Sequence, residues 1–372
     1  MNIAHLTTVH SRDDTRIFHK MCRSLAQSGH AVTLYVADGL GGEWRHGVRI
    51  IDIGRPRNRA LRACLVSTRM WLRACRARHD ILHFHDPELI AGALIARLAG
   101  QCIIYDIHEY YRQHLKTTSG LPQAFNQLLA GAYGLAERWA ARSLSACIVV
   151  SPHMLQALPV RTAVIIENHV RPEEIEPEPT SFSERPRLLS YVGVLSTDRC
   201  VETMVDAVAG SGCRLALAGK WYPPSYRDQM SNRPGWHQVD EWGIIDRDQV
   251  QHLLGQSRAG LLILNLHGDE EHSSSNKLFE YMAAGLPVIA SDQKFARDVI
   301  EQHHCGLLVS PATNPETVRA AIDWILEHPN EAERMGKAGR EAIENHYCWN
   351  RMHTRLLALY TDLKTPDRQN RR

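Results

Sequence analysis

The stretch SSSNKLFEYMAAGLPVIAS, residues 273–291, decides the fold class of this chain. Small polar residues come first, and the apolar spacing that follows predicts a helix over 275–284. Gly285 ends that helix, and Pro287 opens an apolar segment that predicts a strand over 287–290. A polar loop, a helix, a glycine and a strand in this order are typical of an α/β sheet.

The start of this predicted helix carries candidate chemistry. The serines can cap the helix and leave backbone N–H groups for an anion, which the helix dipole also attracts. Lys277 is unfavourable to the dipole there but useful beside a phosphate, and Glu280 is not spaced as a capping-box residue. Two interpretations stay open: an anion site, or a well-capped amphipathic helix with an exposed Lys277–Glu280 pair.

Short strands alternate with helices on both sides of this stretch. The predicted strands cover 3–9, 31–36, 48–53, 81–85, 102–106, 147–150, 188–192, 214–218, 260–264, 287–290 and 306–309. The predicted helices cover 18–28, 201–209, 247–256, 275–284 and 315–327. This alternation predicts parallel βα units.

A change of texture divides the chain. The sequence PEEIEPEPTSFSERPR, within 167–187, is rich in Pro, Glu and Ser and has neither a helical nor a strand period. It predicts a linker at about 172–186 between an N-terminal domain, 1–175, and a C-terminal domain, 186–349. Two α/β domains joined in this way favour a ligand cleft at their interface.

Composition limits the class of protein. At about 150 residues per domain, 372 residues indicate two domains. Apolar residues at 44% and charged residues at 23% are ordinary for a soluble globular chain, and a net charge of +2 argues against a dedicated nucleic-acid binder. No apolar run approaches the ~18 residues of a membrane span, and no basic leader precedes the first strand. We therefore expect a cytoplasmic protein.

The cysteines and histidines lack the spacing of metal sites. The nine cysteines are odd in number, widely spread and without a C-x-x-C pair, so we expect free thiols in a reducing compartment. The 21 histidines are mostly single and show no ligand spacing. Neither a resident metal nor another cofactor is expected.

A second strand–loop–helix lies in YVGVLSTDRCVETMVDAV, residues 191–208. The strand ends at Gly193, and Arg199 in the polar loop is placed to reach a diphosphate at the carboxyl edge of the sheet. A surface arginine on an ordinary loop is the alternative. Neither G-x-G-x-x-G after a strand nor G-x-x-x-x-G-K-[ST] occurs, which disfavours a dinucleotide fold and a P-loop.

Three predicted strand ends of the first half carry polar residues, in VHSRDDTRIF (9–18), HFHDPE (83–88) and YDIHEYY (105–111). All three would face one edge of the sheet. Asp86, His108 and Glu109 are therefore candidate substrate contacts. The alternative for each is a helix cap or a satisfied loop residue, and Asp86 in front of a proline suits an N-cap.

The segment RPRNRALRACLVSTRMWLRACRAR, residues 55–78, holds eight arginines and no acid. One helical face collects Leu61, Leu65, Thr68, Leu72 and Cys75, with Arg62, Arg69, Arg73 and Arg76 beside it. A basic amphipathic helix that also carries Trp71 favours docking on an anionic membrane surface. An ordinary covering helix with a solvated arginine face is the alternative.

Taken together, the motifs resemble the retaining glycosyltransferases of family 4, which have the GT-B fold. The resemblance covers nearly the whole chain, and the bacterial branch that builds exopolysaccharide, capsule or O-antigen units is the most similar. It is carried by HLTTVHSRDDTRIFHKMCRSLAQSGHAVTLYVADG, DILHFHDPELIAG, YDIHEYY, IIENHV, YVGVLS, LALAGK, NKLFEYMAAGLPVIASD and NHYCWNRMHTRLLALY. It implies two Rossmann-like domains facing across a cleft, with 350–372 crossing back to complete the N-terminal domain.

The resemblance also implies roles in the C-terminal domain. Glu280 matches the second glutamate of the family's Glu–seven residues–Glu motif and would hold the ribose hydroxyls. The first glutamate is replaced by His272, with Glu270 or Glu271 as substitutes. Arg199 matches the basic residue that meets the diphosphate. The donor side further includes Gly193, Gly219, Ser274, Ser275, Asn276 and Lys277.

Val194 stands where the family usually has a second phosphate arginine, and Lys277 with the N–H groups of Ser274 and Ser275 would compensate. In the N-terminal domain, His108 matches a histidine that approaches the donor sugar and phosphate in relatives. His10, Asp14, Asp86 and Glu109 would lie on the acceptor side. The catalytic set would thus be His108, Arg199, Lys277 and Glu280.

The implied reaction is hexosyl transfer with retention, from a UDP-sugar or next from GDP-mannose, to a glycan or an undecaprenyl-diphosphate-linked acceptor. Positive groups and a helix start would stabilise the leaving diphosphate without a metal, and no D-x-D motif lies near this site. The acceptor hydroxyl would attack the front face, with the donor phosphate as base. An epimerase or hydrolase acting on sugar nucleotides, and a non-catalytic binding subunit, are the two alternatives.

Overall fold

The computed structural model describes residues 1–108, 111, 115, 123–158, 160–177, 181–265, 275–310 and 313–364. Two compact units divide the chain. The first contains Met1–Asn168 and the C-terminal residues from Asn350, and the second contains His169–Trp349. Each unit is built on its own sheet, which gives the α/β class that the alternation predicts.

Within the described residues, the sheet of the first unit has the order β3-β4-β2-β1-β5-β6-β7-β8. Its strands are parallel except for the β3–β4 pair. They are β1 (Asn2–Leu6), β2 (Ala31–Val36), β3 (Glu43–Arg45), β4 (Val48–Asp52), β5 (Ile81–Phe84), β6 (Ile103–Ile107), β7 (Ala146–Val149) and β8 (Ala163–Ile165). The polar residues that follow β1, β5 and β6 therefore share one edge of the sheet.

Helices connect these strands. A π-helical segment, Thr15–Cys22, continues into α1 (Arg23–Gln27), and Arg59–Val66 leads into α2 (Ser67–Arg76). The others are α3 (Ile90–Leu98), α4 (Gln123–Ser143) and α5 (Pro152–Ala157). Apolar side chains of α2, α3 and α4 pack in one core with those of β5, β6 and β7, so these helices are fixed by burial on the sheet.

The sheet of the second unit has the order β11-β10-β9-β12-β13-β14 within the described residues, and its paired strands are parallel. The strands are β9 (Leu188–Val192), β10 (Arg214–Ala218), β11 (Val239–Gly243), β12 (Ala259–Leu262), β13 (Val288–Ser291) and β14 (Gly306–Val309). The helices are α6 (Val201–Val208), α7 (Tyr226–Ser231), α8 (Arg247–Gln256), α9 (Asn276–Ala283), α10 (Lys294–His303), α11 (Pro315–Glu327) and α12 (Pro329–Asn345).

The order of predicted strands is confirmed, and among the described residues three short strands were missed. These are β3, β8 and β11, and each lies at an edge of its sheet. Edge strands bury less, and β3 and β11 carry charged residues that interrupt an apolar run, whereas β8 is apolar but only three residues long. In β11, Asp240 and Glu241 form ion pairs with Arg214 and Arg227.

The predicted linker at about 172–186 is wrong in part, because the second unit already begins at His169 rather than after 175. Ile175 is 2% exposed and Phe182 is 3% exposed, and both pack in cores of the second unit. Arg340 on α12 also donates a hydrogen bond to the Ile175 carbonyl at 2.6 Å. Two apolar anchors in a polar stretch therefore hold it against the domain that follows.

The last described helix, α13 (Trp349–Lys364), belongs to the first unit from Asn350 onward. Its Tyr360 is fully buried, and the Tyr360 hydroxyl lies 2.6 Å from Nδ1 of His83 in β5. All nine cysteines are unpaired. No helix among the described residues combines the length and apolarity that a membrane span requires.

Candidate active site

Two glycines shape the carboxyl edge of the second sheet. Gly193 follows β9 with φ +148°, and a Cβ there would lie 2.4 Å from Lys277 Cε and 2.8 Å from Nζ. Gly219 follows β10 with φ +147°, and its Cβ would lie 1.7 Å from the Gly193 carbonyl oxygen. Only glycine lets these strand ends approach each other and lets the Lys277 side chain lie across them.

Lys277 and Arg199 place two cations at this edge. The Lys277 ammonium lies 5.4 Å from the centroid of the Tyr191 ring, a cation–π distance. Burial and the charge of Arg199 lower the pKa of Lys277 to about 8. Neither side chain forms an ion pair with any described residue. We call Gly193, Gly219, Arg199, Lys277 and the start of α9 the cationic cradle.

The start of α9 differs from the capped helix of the second interpretation. Ser275 occupies the N-cap position, yet its side chain makes no capping hydrogen bond with the described residues. The capped-helix interpretation predicts a pair between Lys277 and Glu280, but Glu280 pairs with Arg247 instead. A helix start with orphan N–H groups and a lysine suits an anion. His272 and Ser274 lie outside the described residues.

Arg247 holds Glu280 in place. Its Nη1 donates to Glu280 Oε1 at 2.9 Å, and its Nη2 donates to Glu174 Oε2 at 3.1 Å. Burial acts to lower the pKa of Arg247, but the two carboxylates raise it above its usual value. The sequence analysis missed Arg247, since only the capping box of Asp246 and Gln249 marks the start of α8. Among the described residues Arg247 donates to Oε1 of Glu280 and leaves Oε2 open, so a hydroxyl can donate to Oε2.

A pocket of about 230 Å³ opens at the carboxyl edge of the first sheet. Residues after β1, β5 and β6 line it together with side chains of α4 and of the segment before α2. Its lining includes His10, His108, Asp86, Glu88, Arg59, Arg62 and Tyr133. The sequence-predicted residues His10, Asp86 and His108 are therefore brought together, whereas Glu109 lies outside the described residues.

Asp86 ties two strand ends and is not a helix cap. Its side chain makes no capping hydrogen bond, although Pro87 follows it as predicted. Instead Oδ2 accepts from Thr7 Oγ1 at 2.8 Å and from the backbone N–H groups of Thr8 and Val9. Because these bonds come from the loop after β1, the N-cap alternative is wrong and the carboxylate fixes the wall of the pocket.

Asp106 orients His108, although the sequence analysis did not identify Asp106 as a candidate. Arg16 binds its carboxylate with two bonds of 2.7 and 2.8 Å, and His85 Nδ1 lies 3.0 Å from Oδ2. His108 Nδ1 lies 3.3 Å from the same oxygen. Burial acts to raise the pKa of Asp106, but Arg16 and His108 hold it well below its usual range. His108 is thus oriented by an ionised carboxylate.

Asp14 has two structural roles, as a helix cap and as a partner of His10. Its Oδ1 accepts from the N–H groups of Arg16 and Ile17, which makes it the N-cap of the segment that begins at Thr15. Its Oδ2 lies 3.3 Å from His10 Nδ1. Burial acts to raise the pKa of Asp14, but the bonds from His10 and Ile17 hold it well below its usual range. Asp14 therefore supports the pocket through His10.

A chain of histidines runs behind the pocket. His85 Nε2 lies 3.0 Å from His5 Nδ1, and the Tyr360 hydroxyl lies 3.4 Å from His5 Nε2. We call His5, His10, His83, His85 and His108, with Asp14 and Asp106, the histidine network. Two triads in it have atoms close enough for a metal ion: His5, His83 and His85, and His85, Asp106 and His108. Their hydrogen bonds to each other and the guanidinium beside Asp106 disfavour a metal ion there.

The arginine-rich segment lies over the core of the first unit. Trp71, expected at a membrane surface, is 6% exposed and donates to the Leu89 carbonyl at 3.1 Å. Arg62 is bound to Glu88 at 2.6 Å. The remaining predicted face does point outward, because Leu65 and Leu72 are about half exposed beside exposed arginines 69, 73 and 76.

The fold and the cradle define the class of protein as a two-unit α/β protein with two cations at the carboxyl edge of its second sheet. Residues 15–168 match the glycosyl transferase 4-like domain, and residues 172–342 match the glycosyl transferases group 1. The chain belongs to the family 4 glycosyltransferases, with the GT-B fold.

Curated relatives resemble parts of the chain. Spore coat protein SA of Bacillus subtilis is 34% identical over 82 residues, 22% of this chain and 22% of that protein. Phosphatidyl-myo-inositol mannosyltransferase of Mycobacterium leprae is 24% identical over 301 residues, 77% of this chain and 74% of that protein. The chain spans about a fifth to two fifths of the length of the first three curated relatives it matches.

Solved structures share the fold. Sucrose-phosphate synthase from Thermosynechococcus elongatus superposes with a TM-score of 0.80 at 18% identity, over 97% of this chain and 98% of that chain. Anabaena HepE in complex with UDP-glucose gives a TM-score of 0.74 at 15% identity, over 97% of this chain and 100% of that chain. At these identities the likeness concerns the fold alone.

Proposed function

We propose that this chain transfers a hexose, with retention, from a nucleotide diphosphate sugar to a glycan or an undecaprenyl-diphosphate-linked acceptor. The cationic cradle carries the proposal. It offers two cations without ion-pair partners among the described residues, beside two glycines that keep the strand edge open. A diphosphate is the anion whose charge and oxygens suit such a site.

In this proposal the cradle stabilises the leaving group. Negative charge develops on the nucleotide diphosphate as the sugar departs, and Lys277, Arg199 and the N–H groups that start α9 face it. The Lys277 ammonium packs against Gly193, next to Val194, and so supplies the charge that Val194 lacks. No metal is needed for this step. Activity should survive EDTA, and complete loss restored by Mg²⁺ or Mn²⁺ would contradict this point.

Glu280 accepts hydrogen bonds from the ribose hydroxyls, with Arg247 fixing its carboxylate. Gly219, Ser274, Ser275, Asn276 and His272 complete the donor side. In the first unit, His108 contacts the transferred sugar, and His10, Asp14, Asp86 and Glu109 serve the acceptor side. The donor phosphate takes the proton of the attacking hydroxyl.

A UDP-sugar is the favoured donor and GDP-mannose the next. The UDP-glucose bound by HepE supports the first, and the mannosyl transfer in the name of the mycobacterial relative supports the second. That relative's name also includes a lipid, phosphatidyl-myo-inositol, which supports a lipid-linked acceptor. A cytoplasmic enzyme that binds the inner membrane surface through arginines 69, 73 and 76 would meet such an acceptor.

Isothermal titration of UDP-glucose, GDP-mannose, dTDP-glucose and ADP-glucose tests the donor site. We expect binding of one nucleotide class and release of its diphosphate only when an acceptor is present. Free sugar or an epimer formed without acceptor would favour an epimerase or hydrolase. Absence of binding for all four donors would overturn the proposal.

A further inference from the structure

Two histidines of the pocket face each other through the same ring nitrogen. His10 Nε2 and His108 Nε2 are 3.2 Å apart, a hydrogen-bond distance. The other nitrogen of each ring faces oxygen acceptors. His108 Nδ1 lies 3.2 Å from the Asp106 carbonyl and 3.3 Å from its carboxylate, and His10 Nδ1 lies 3.3 Å from Asp14 Oδ2.

Hydrogen counting fixes the charge of this pair. A nitrogen that faces a carbonyl or an ionised carboxylate must carry a hydrogen, so both Nδ1 atoms are donors. If both rings were neutral, two bare lone pairs would face each other at 3.2 Å. One Nε2 must therefore carry a hydrogen as well, which puts three hydrogens on two rings.

We propose that His10 and His108 share one proton and hold a single positive charge at the wall of the pocket, with Asp14 and Asp106 as positioning residues. Neither family match assigns this pair. The catalytic consequence of this inference rests on the proposed function, whereas the shared proton itself is independent of that function.

The rest of the histidine network needs no such charge. His85 donates to Asp106 through Nδ1, and its Nε2 accepts from His5 at 3.0 Å. The Tyr360 hydroxyl accepts from His83 Nδ1 at 2.6 Å and reaches His5 Nε2 at 3.4 Å. Neutral rings satisfy all of these bonds, and burial lowers the pKa of His85 to about 3.

The groups around the pair also favour a cation. Three carboxylates face it from three elements: Asp14 before the π-helical segment, Asp106 on β6, and Asp86 after β5, whose Oδ1 lies 3.4 Å from His10 Nε2. Arg16 opposes them with one positive charge on Asp106. On the pocket side Glu88 and Arg62 neutralise each other, and Arg59 adds one cation. The carboxylates outnumber the facing cations next to the rings.

The positive charge of this pair would stabilise an electron-rich oxygen of the bound sugar or its phosphate through the electrostatic field of the two rings. Sugar transfer should then require the charged pair, and kcat/KM should fall at alkaline pH, where the pair loses its shared proton. Removing the Asp14 charge destabilises the imidazolium and should move that fall to lower pH by about one to two units.

The test uses Asp14→Asn in the full chain, since asparagine keeps the helix cap that Asp14 provides. Asp13→Asn is the matched control: Asp13 is the neighbouring residue, is 58% exposed and pairs with Arg45 away from the rings. We expect Asp14→Asn to shift the alkaline limb of kcat/KM and Asp13→Asn to leave it in place. Asp14→Glu should restore the limb. A uniform loss of rate at every pH would overturn the positioning role.

Nitrogen-15 NMR of the free protein tests the shared proton without any activity. At pH 7 we expect one imidazolium signal set that involves both His10 and His108 and disappears in His10→Gln. Two neutral rings in the wild type would overturn the inference, even if sugar transfer is found. A shared proton in a protein that transfers no sugar would instead count against the proposed function alone.

Discussion

The cationic cradle of the second unit and the histidine network of the first unit handle charge in opposite ways. In the cradle, Lys277 and Arg199 have no ion-pair partner among the described residues, and each makes the other's charge costlier. In the network the carboxylates are already matched: the buried Asp106 pairs with Arg16, and the partly exposed Asp14 pairs with His10. We therefore expect a ligand to pair with the cations of the cradle, whereas the charged groups of the network already pair with each other.

This difference separates two kinds of substitution. Removing a cation from the cradle relieves repulsion, so it should weaken anion binding and leave the fold intact. Removing a partner from the network leaves a buried charge unpaired, which costs stability. The backbone that brings the cradle together is the exception, because its glycines are required by the fold itself.

Gly219→Ala should give the largest effect and break the cradle. A Cβ would meet the Gly193 carbonyl at 1.7 Å, and φ +147° is strained for any side chain. We expect the free energy of unfolding to fall by about 3 kcal/mol or more, measured by urea denaturation. Gly210→Ala is the control: its φ is +74° but nothing lies within 4 Å, so about 1 kcal/mol is expected. Equal losses for both variants would show that the strand ends do not need Gly219.

The sequence predicts a region well when the residues that contact each other in it are close together along the chain. The central strands and the helix stop at Gly285 were predictable because apolar runs and glycines act locally. The Asp106–Arg16 pair joins residues 90 apart, and Arg247–Glu280 joins residues 33 apart, so no local pattern marks either. The strand-end pattern supplied His108 as a candidate and the family resemblance gave His108 and Glu280 their roles, but neither identified the residues that orient them.

Lys277→Met should weaken donor binding without unfolding the protein. A hydrogen bond to a charged group contributes about 1.5–3 kcal/mol, so the Kd for the donor should rise about 10- to 100-fold by isothermal titration. In the wild type, affinity should decline as the pH rises through about 8, because Lys277 loses its charge there. The variant should lack this decline. Lys294→Met, on an exposed lysine paired with Asp298, is the control. A decline that persists in Lys277→Met would place the titrating group elsewhere.

Glu280→Gln should have a smaller effect, since glutamine keeps one acceptor oxygen. We expect the fold to survive and the donor Kd to rise about 10-fold, because charge-assisted bonds to hydroxyls are weakened. The substitution also releases Arg247, so Glu174→Gln serves as the control, removing the other Arg247 contact at 3.1 Å. Unchanged affinity in Glu280→Gln, or an equal loss in both variants, would rule out the ribose role.

The smallest effect is expected for the exposed arginine face of the first unit, which belongs neither to the cationic cradle nor to the histidine network. Arg69, Arg73 and Arg76 are exposed beside Leu65 and Leu72, which are 51% and 50% exposed. Near an anionic bilayer each arginine contributes about 1 kcal/mol, fading over a Debye length of roughly 8–10 Å. Replacing the three by glutamine should release the protein from anionic vesicles in a sedimentation assay and spare transfer to a soluble acceptor.

Lysine at the same three positions keeps the charge and should keep the vesicle binding, while high salt should imitate the glutamine variant. Arg62 is left unchanged, because it is bound to Glu88 and its loss would disturb the pocket. Two leucines and three cations suffice for reversible attachment but not for insertion. If the wild type fails to sediment with anionic vesicles at low salt, this face is an ordinary solvated surface, and the acceptor must reach the pocket without help from the helix.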